Sequence, residues 1–370
     1  MYLEKLKLIN FKNYTEAEFD FSPKINCFIG NNGAGKTNIL DAIYYLSFCK
    51  SYFNPSDTQN IKHNESFFAV HGTYHKNNNG GDYLTVVQKR GHRKIFKLND
   101  KEYDRLADHI GLYPLVMISP YDRDLINEGS EVRRKYIDSV ISQFDKVYLD
   151  NLINYNKALL QRNVLLKKFA ESNYYDAGSL EIWSNKLASL GEKIYSKRKE
   201  FLGEFLPLFQ QYFEFISGGK EEVAIEYDSQ IHEHPLEELL NSSVEKDRQV
   251  RYTTVGIHKD DLLMRINGYP LKKFGSQGQQ KSYVVAIKMA QFEYTREIKG
   301  FKPVLLLDDI FDKLDENRVK KIIQLVSENS FKQVFITDTQ KERIENIFNQ
   351  VNIDHKIYNI IDGSVSVIKE

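Results

Sequence analysis

Residues 25–37 read INCFIGNNGAGKT. INCFI (25–29) predicts an apolar strand, and NILDAIYYLSF (38–48) carries apolar positions at helical spacing. Between them, GNNGAGKT (30–37) is a full match to the phosphate-binding pattern GxxxxGKT in its proper strand–loop–helix setting. Gly30, Gly33 and Gly35 allow the backbone to curl so that its N–H groups converge on phosphate oxygens, and the helix start adds its positive dipole end. Gly30, Asn31, Asn32, Gly33, Ala34, Gly35, Lys36 and Thr37 form the candidate cradle. Lys36 is placed to reach the β/γ oxygens and serve the chemistry, and the Thr37 hydroxyl to ligate Mg²⁺.

Such a loop requires a second element, an apolar strand ending in an acid. VLLLDD (304–309), bounded by Pro303, supplies it. Asp308 is the candidate metal ligand, and Asp309 is the candidate catalytic carboxylate that orients or activates an attacking water. Alone, this stretch would also read as a core strand capped by solvated acids. GSQGQQ (275–280) precedes a helix with apolar Tyr283, Val284, Ile287 and Ala290. It reads either as an ordinary Ser N-cap or as a second anion-facing helix terminus. Two such termini with one phosphate loop point to a composite site, in which Ser276 and Gly278 meet a nucleotide held by another copy of the chain.

The chain has 370 residues, enough for two or three structural units, with 41% hydrophobic and 28% charged residues. Lys plus Arg and Asp plus Glu are 51 each, so net charge does not drive polyanion binding. Two cysteines exclude a disulfide framework, and no CxxC is present. The opening MYLEKLKLIN carries Glu4 and Lys5 where a signal peptide would need an apolar stretch, and the aliphatic runs are too short to span a bilayer; a cytoplasmic protein without a membrane partner is expected.

Residues 1–128 read as short strands plus the 38–48 helix, with strands at 66–74, 83–98 and 114–119 and a polar turn at 77–81. Residues 129–250 read as a mainly helical lobe: two or three long helices interrupted near 173–178, then a short strand (VAIEY) and helix (PLEELL). Residues 251–370 return to α/β, with strands at 262–266, 304–307 and 334–337 and helices after Gly278 and at 316–328. The expected architecture is α/β: one mixed-sheet ATPase lobe built from both ends of the chain, with a helical second lobe inserted.

The motif order (GNNGAGKT, SQGQQ, LLLDD, then Leu314–Asp315) resembles that of ABC-type ATPase heads. LINFKNY (8–14), RRKYID (133–138), GIHKDDL (256–262) and SQGQQKS resemble, more closely, the corresponding motifs of the bacterial RecF-like repair proteins, over residues 3 to about 340. Lys12 and Lys259 stand where that family usually has Arg, and Ile257 replaces a Pro. The resemblance implies a protein that dimerises on ATP, binds DNA at single-strand gaps and hydrolyses ATP slowly for release. It further implies help in loading recombinase with RecR- and RecO-like mediators, in support of replication and the SOS response. On the resemblance, Ser276, Gly278 and Gln279 would act on the partner's ATP, and Asp315 would lie at the dimer interface. ITDT (336–339) has no histidine where many ABC ATPases carry one, which points to a slow, timer-like ATPase.

DNA contacts are open between phosphate binding and solvated surface for three basic clusters: Lys89, Arg90, Arg93, Lys94 and Lys97; Arg133, Arg134 and Lys135; Lys197, Arg198 and Lys199. His232 and His234 read as a surface pair. A transport ATPase subunit is the competing class, but it has no use for the helical insert. Arms of an SMC type would be far longer than the insert's longest plausible helix, about 40 residues or roughly 60 Å.

Overall fold

The computed structural model describes residues 1–76, 80–172, 174–310, 321, 324, 331–340, 342 and 354–369. Leu314–Asp315, the helix expected at 316–328 and most of the turn expected at 77–81 lie outside them. The chain forms two compact units: residues 1–122, 215–217 and 281–370, and residues 123–214 and 218–280.

Among the described residues, the first unit has two six-stranded sheets. One has the order Ser364–Lys369, His355–Ile361, Ile25–Ile29, Val334–Asp338, Val304–Leu307, Leu115–Ile118. Five of these strands are parallel, and the edge strand Ser364–Lys369 is antiparallel. INCFI, VLLL, VFITD and LVMI are buried at every position, which is why they are continuous rather than alternating runs. The register pairs Leu307 with Ile118 and Ile336, and Ile29 with Asp338. Gly30, Ser119 and Asp308 therefore leave the sheet at one carboxyl edge, where open α/β sheets bind ligands. The other sheet is antiparallel, in the order Glu16–Asp20, Tyr2–Ile9, Phe67–His75, Gly81–Lys89, Ile95–Leu98, Lys101–Glu102. The stretch expected as one strand over 83–98 is two strands, because the chain reverses at Gly91 (φ 72°). One apolar core joins Leu3, Leu6 and Leu8 of this sheet, Ile39, Ile43 and Leu46 of the helix Lys36–Phe48, and Phe28, Leu306 and Phe335 of the parallel sheet.

The second unit is mainly helical: Ser130–Ile141, Lys146–Ser172, Ala177–Ser217 (its last three residues group with the first unit), Leu236–Ser242 and Val244–Val250. The interruption expected near 173–178 is capped by Asp176, which accepts hydrogen bonds from Ser179 N (3.1 Å) and Oγ (2.6 Å). Pro207 lies within the 41-residue helix. The unit includes residues 251–280, placed with the ATPase lobe on sequence grounds, and begins at Arg123 rather than 129. The cause is pairing: Asp261–Ile266 forms an antiparallel ladder with Val223–Asp228. Two buried arginines bind its parts. Arg198 pairs with Asp138 and with Asp260, each at 2.9 Å. Arg162 pairs with Asp247 at 2.7 Å and donates to Thr253 and Ser184. Among the described residues, no helix is long and apolar enough to cross a membrane.

Candidate nucleotide site

The loop GNNGAGKT holds the conformation its glycines allow. Gly33 and Gly35 adopt φ of 82° and 115°, backbone that residues with a Cβ avoid. At Gly35 a Cβ would also press into the Asn13 amide and the Tyr14 hydroxyl. Asn31, Asn32 and Gly33 are exposed, whereas Ala34, Gly35 and Lys36 are buried. The helix Lys36–Phe48 receives no side-chain cap from Gly35. Its first N–H groups thus supply the positive terminus that suits phosphate. Lys36 Nζ donates to the carbonyls of Gly30 (2.8 Å) and Asn31 (3.0 Å). These bonds hold the curl and use two of three ammonium protons.

Thr37 Oγ1 donates to Asp308 Oδ1 at 2.8 Å, so the two candidate metal ligands meet. Thr337 Oγ1 donates to the same oxygen at 2.8 Å and accepts from Asp309 N at 2.9 Å. The Ser119 hydroxyl faces Asp308 Oδ2 at 3.4 Å. Burial pushes the Asp308 carboxyl above the ordinary range; hydrogen bonds from Thr37, Thr337 and Ser119 oppose the rise, and the Asp309 charge adds to it. Such a carboxylate gains most from a nearby cation. Asp309 follows with φ 43°, a left-handed turn uncommon for a residue with a side chain. Among the described residues, no group of three or more His, Cys, Asp or Glu gathers as a metal cage. Thr37 with one carboxylate is instead the sparse set that suits Mg²⁺ bound together with phosphates and water.

Sequence reasoning missed what braces the loop. Asn13 Nδ2 donates to Ala34 O at 3.0 Å and Tyr14 Oη to Gly35 O at 3.1 Å. Asn38 Nδ2 in turn holds Asn13 Oδ1 at 2.7 Å. From the chain's other end, Gly363 N donates to Ala34 O at 3.1 Å. Gly363 follows Asp362 in a hairpin turn where both have positive φ (80° and 47°). The Asp-Gly pair between the apolar-rich stretches HKIYNII and SVSVIK is a hairpin signal that was present in the sequence.

The signature segment, GSQGQQ (275–280), lies in the second unit and forms a capping box. Ser276 Oγ accepts from Gln279 N at 3.2 Å, and Gln279 Oε1 accepts from Ser276 N at 2.7 Å. Gln279 Nε2 donates to Glu221 at 2.8 Å. Both ends of the Gln279 side chain are thus engaged within its own unit, and the Ser276 hydroxyl oxygen is engaged as an acceptor. Ser276, Gly278 and Gln279 belong to a different unit from Lys36 and Asp308.

Several basic residues are engaged by contacts within their own unit. Arg133 forks onto both oxygens of Asp261 (2.6 and 3.0 Å), and Arg134 donates to Asp260 O at 2.5 Å. Arg198 is buried, and Lys94 pairs with Asp57 at 2.7 Å. RRKYID and GIHKDDL are therefore the two halves of one internal contact set. His232 bonds Tyr227 O and Tyr195 Oη.

A family model for the RecF/RecN/SMC N terminal domain matches residues 2–360. The DNA replication and repair protein RecF of Flavobacterium johnsoniae is 52% identical, over 97% of this chain and 100% of its own length. That of Phocaeicola vulgatus is 47% identical, over 100% of this chain and 99% of its own. The solved structure of the recombination mediator protein RecF-ATP in the RecFOR pathway superposes with a TM-score of 0.89 at 31% identity, covering 100% of this chain and 98% of that one. Shared fold, full-length identity and the motif set converge: the chain belongs to the RecF/RecN/SMC N terminal domain family, on its RecF branch.

Proposed function

We propose that the chain is an ATP-operated DNA-binding protein of recombinational repair. The observation that carries this is the Thr37–Asp308 hydrogen bond, which brings the phosphate loop and the acid-ended strand to one point. The residues fit Mg-ATP. Residues 30–36 would cradle the phosphates, the third proton of Lys36 would take a phosphate oxygen, and Thr37 and Asp308 would hold the cation. The cation would supply charge neutralisation and alignment of the β/γ oxygens. Asp309 is placed beside this point and would hold or orient a water; hydrolysis there would be slow.

Ser276 and Gly278 would act on ATP held by a second copy, so that ATP makes the dimer and the dimer holds DNA at gaps. Gln279 has a different role in this reading: it fixes the helix start and presents the Ser276 hydroxyl. Relatives named for DNA replication and repair, and a neighbour named as a recombination mediator with ATP in the RecFOR pathway, support this reading. The same names fit a role in replication and mediators of the RecO and RecR type as partners; help in recombinase loading and support of the SOS response belong to the proposal itself.

A nucleotide titration tests the core of it. Lys36→Met is expected to abolish ATP binding, because the phosphate charge loses its compensation. Binding within twofold of the unsubstituted chain would overturn the assignment of the loop.

A further inference from the structure

Two ion pairs lie in the first unit beside the candidate metal site without belonging to it. Lys12 meets Asp41 at 2.6 Å, and Lys288 meets Asp122 at 2.7 Å; both carboxylates are buried. Tyr52 joins them: its N–H donates to Asp41 at 2.7 Å and its hydroxyl to Asp122. Asp41 lies one turn past Thr37 on the helix Lys36–Phe48. Lys288 lies on the helix Gln277–Lys299, which starts directly after Ser276. The other oxygen of Asp122 accepts the Ser119 N–H at 2.7 Å, and the Ser119 hydroxyl is the group facing Asp308 Oδ2. A continuous line of hydrogen bonds and ion pairs thus connects the phosphate-loop helix, the signature helix Gln277–Lys299 and the Asp308 carboxylate.

Stability alone does not account for it. Buried ion pairs are costly to desolvate, and well-packed apolar residues are often equally stabilising. What the charged arrangement adds is direction. Oδ1 of Asp308 is held by the Thr37 and Thr337 hydroxyls, while Ser119 governs Oδ2. Partners that orient a ligating carboxylate tune the site as strongly as its ligands do.

We propose that Asp122, clamped by Lys288 and Tyr52, is a positioning residue for the metal site. It fixes Ser119, which orients the Asp308 carboxylate, so the signature helix and the metal share one linkage. This rests on the reading that Thr37 and Asp308 hold the cation of Mg-ATP. A displacement of the helix Gln277–Lys299 would then reach Asp308 through Lys288 and Asp122, and would alter cation affinity before nucleotide affinity.

The test uses the full chain, with Mn²⁺ as a paramagnetic probe titrated onto ATP-loaded protein. ATP affinity in EDTA is measured separately. Ser119→Ala, a change small enough to leave the fold intact, and the apolar pair Asp122→Leu with Lys288→Met are each expected to raise the Mn²⁺ half-saturation about tenfold. Both should leave ATP affinity in EDTA within twofold, a split that general destabilisation would not produce. A half-saturation within twofold of the unsubstituted chain for the apolar pair would overturn the positioning role. Asp308→Asn serves as the reference: if it also leaves the half-saturation unchanged, the metal assignment itself fails and the linkage with it.

Discussion

Thr37 and Asp308, 271 positions apart in the chain, share a 2.8 Å hydrogen bond. Neither end is free to wander. Thr37 sits in the first turn of a helix whose start is set by a left-handed glycine, and Asp308 follows a strand buried at every position between two parallel neighbours. In the proposed reading, the pair marks where the cation of Mg-ATP would be held.

Replacing Asp308 by Asn should separate cation binding from nucleotide binding. The amide keeps a hydrogen bond with Thr37 but loses the charge that attracts a divalent ion. ATP affinity in EDTA is expected to stay within twofold, while the Mg²⁺ needed for half-maximal hydrolysis rises at least about tenfold. Equal Mg²⁺ dependence in the two proteins would contradict the assignment.

Arg198 should matter to stability rather than to DNA. It sits among Asp138, Asp260 and the Ile257 carbonyl. Arg198→Met would strand two carboxylates, at a cost of about 3–5 kcal/mol. Arg133→Met, whose partner Asp261 is closer to solvent, should cost clearly less. Urea unfolding followed in the helical unit measures both, and equal midpoints for Arg198→Met and the unsubstituted chain would refute the expectation.

Buried His109 and half-buried His258 predict acid sensitivity. His109 bonds the Leu46 carbonyl and His258 the Thr253 carbonyl. Burial pulls each down to about 4 from the ordinary 6.5. Between those values the unfolded chain binds the proton and the folded chain does not, so stability is held above pH 6.5 and lost as pH falls. From pH 7 to pH 5 the loss should be about 2 kcal/mol for each histidine. The urea midpoint of the helical unit should fall over this range, and His258→Gln should flatten the slope. An unchanged slope in that variant would show that His258 is not the group responsible.

The phosphate loop, its strand and helix, and the acid-ended strand were legible because each is a local pattern: spacing of glycines, an apolar run, helical periodicity. The antiparallel sheet of the first unit was only partly legible, since Gly91 divides one apparent strand. The brace was not legible as a brace. Asn13, Tyr14 and Gly363 reach Ala34 and Gly35 across long stretches of chain, and nothing in the residue types announces the partner. The same holds for Arg133, which looks like a surface cation until Asp261 is seen to face it. Ser276 and Gln279 show the opposite case. The pattern S-x-x-Q is itself a capping-box signal, and it competes with an anion-facing reading of the same residues.

The most direct test of the central claim is light scattering on Asp309→Asn protein without nucleotide, with ADP and with ATP, each with and without a gapped duplex. Loss of the Asp309 carboxylate should slow hydrolysis and prolong the ATP-bound state. The account predicts a dimer with ATP alone among the nucleotide conditions, and retention of the gapped duplex by that dimer. A monomer in every condition would contradict the composite site and the ATP-gated hold on DNA.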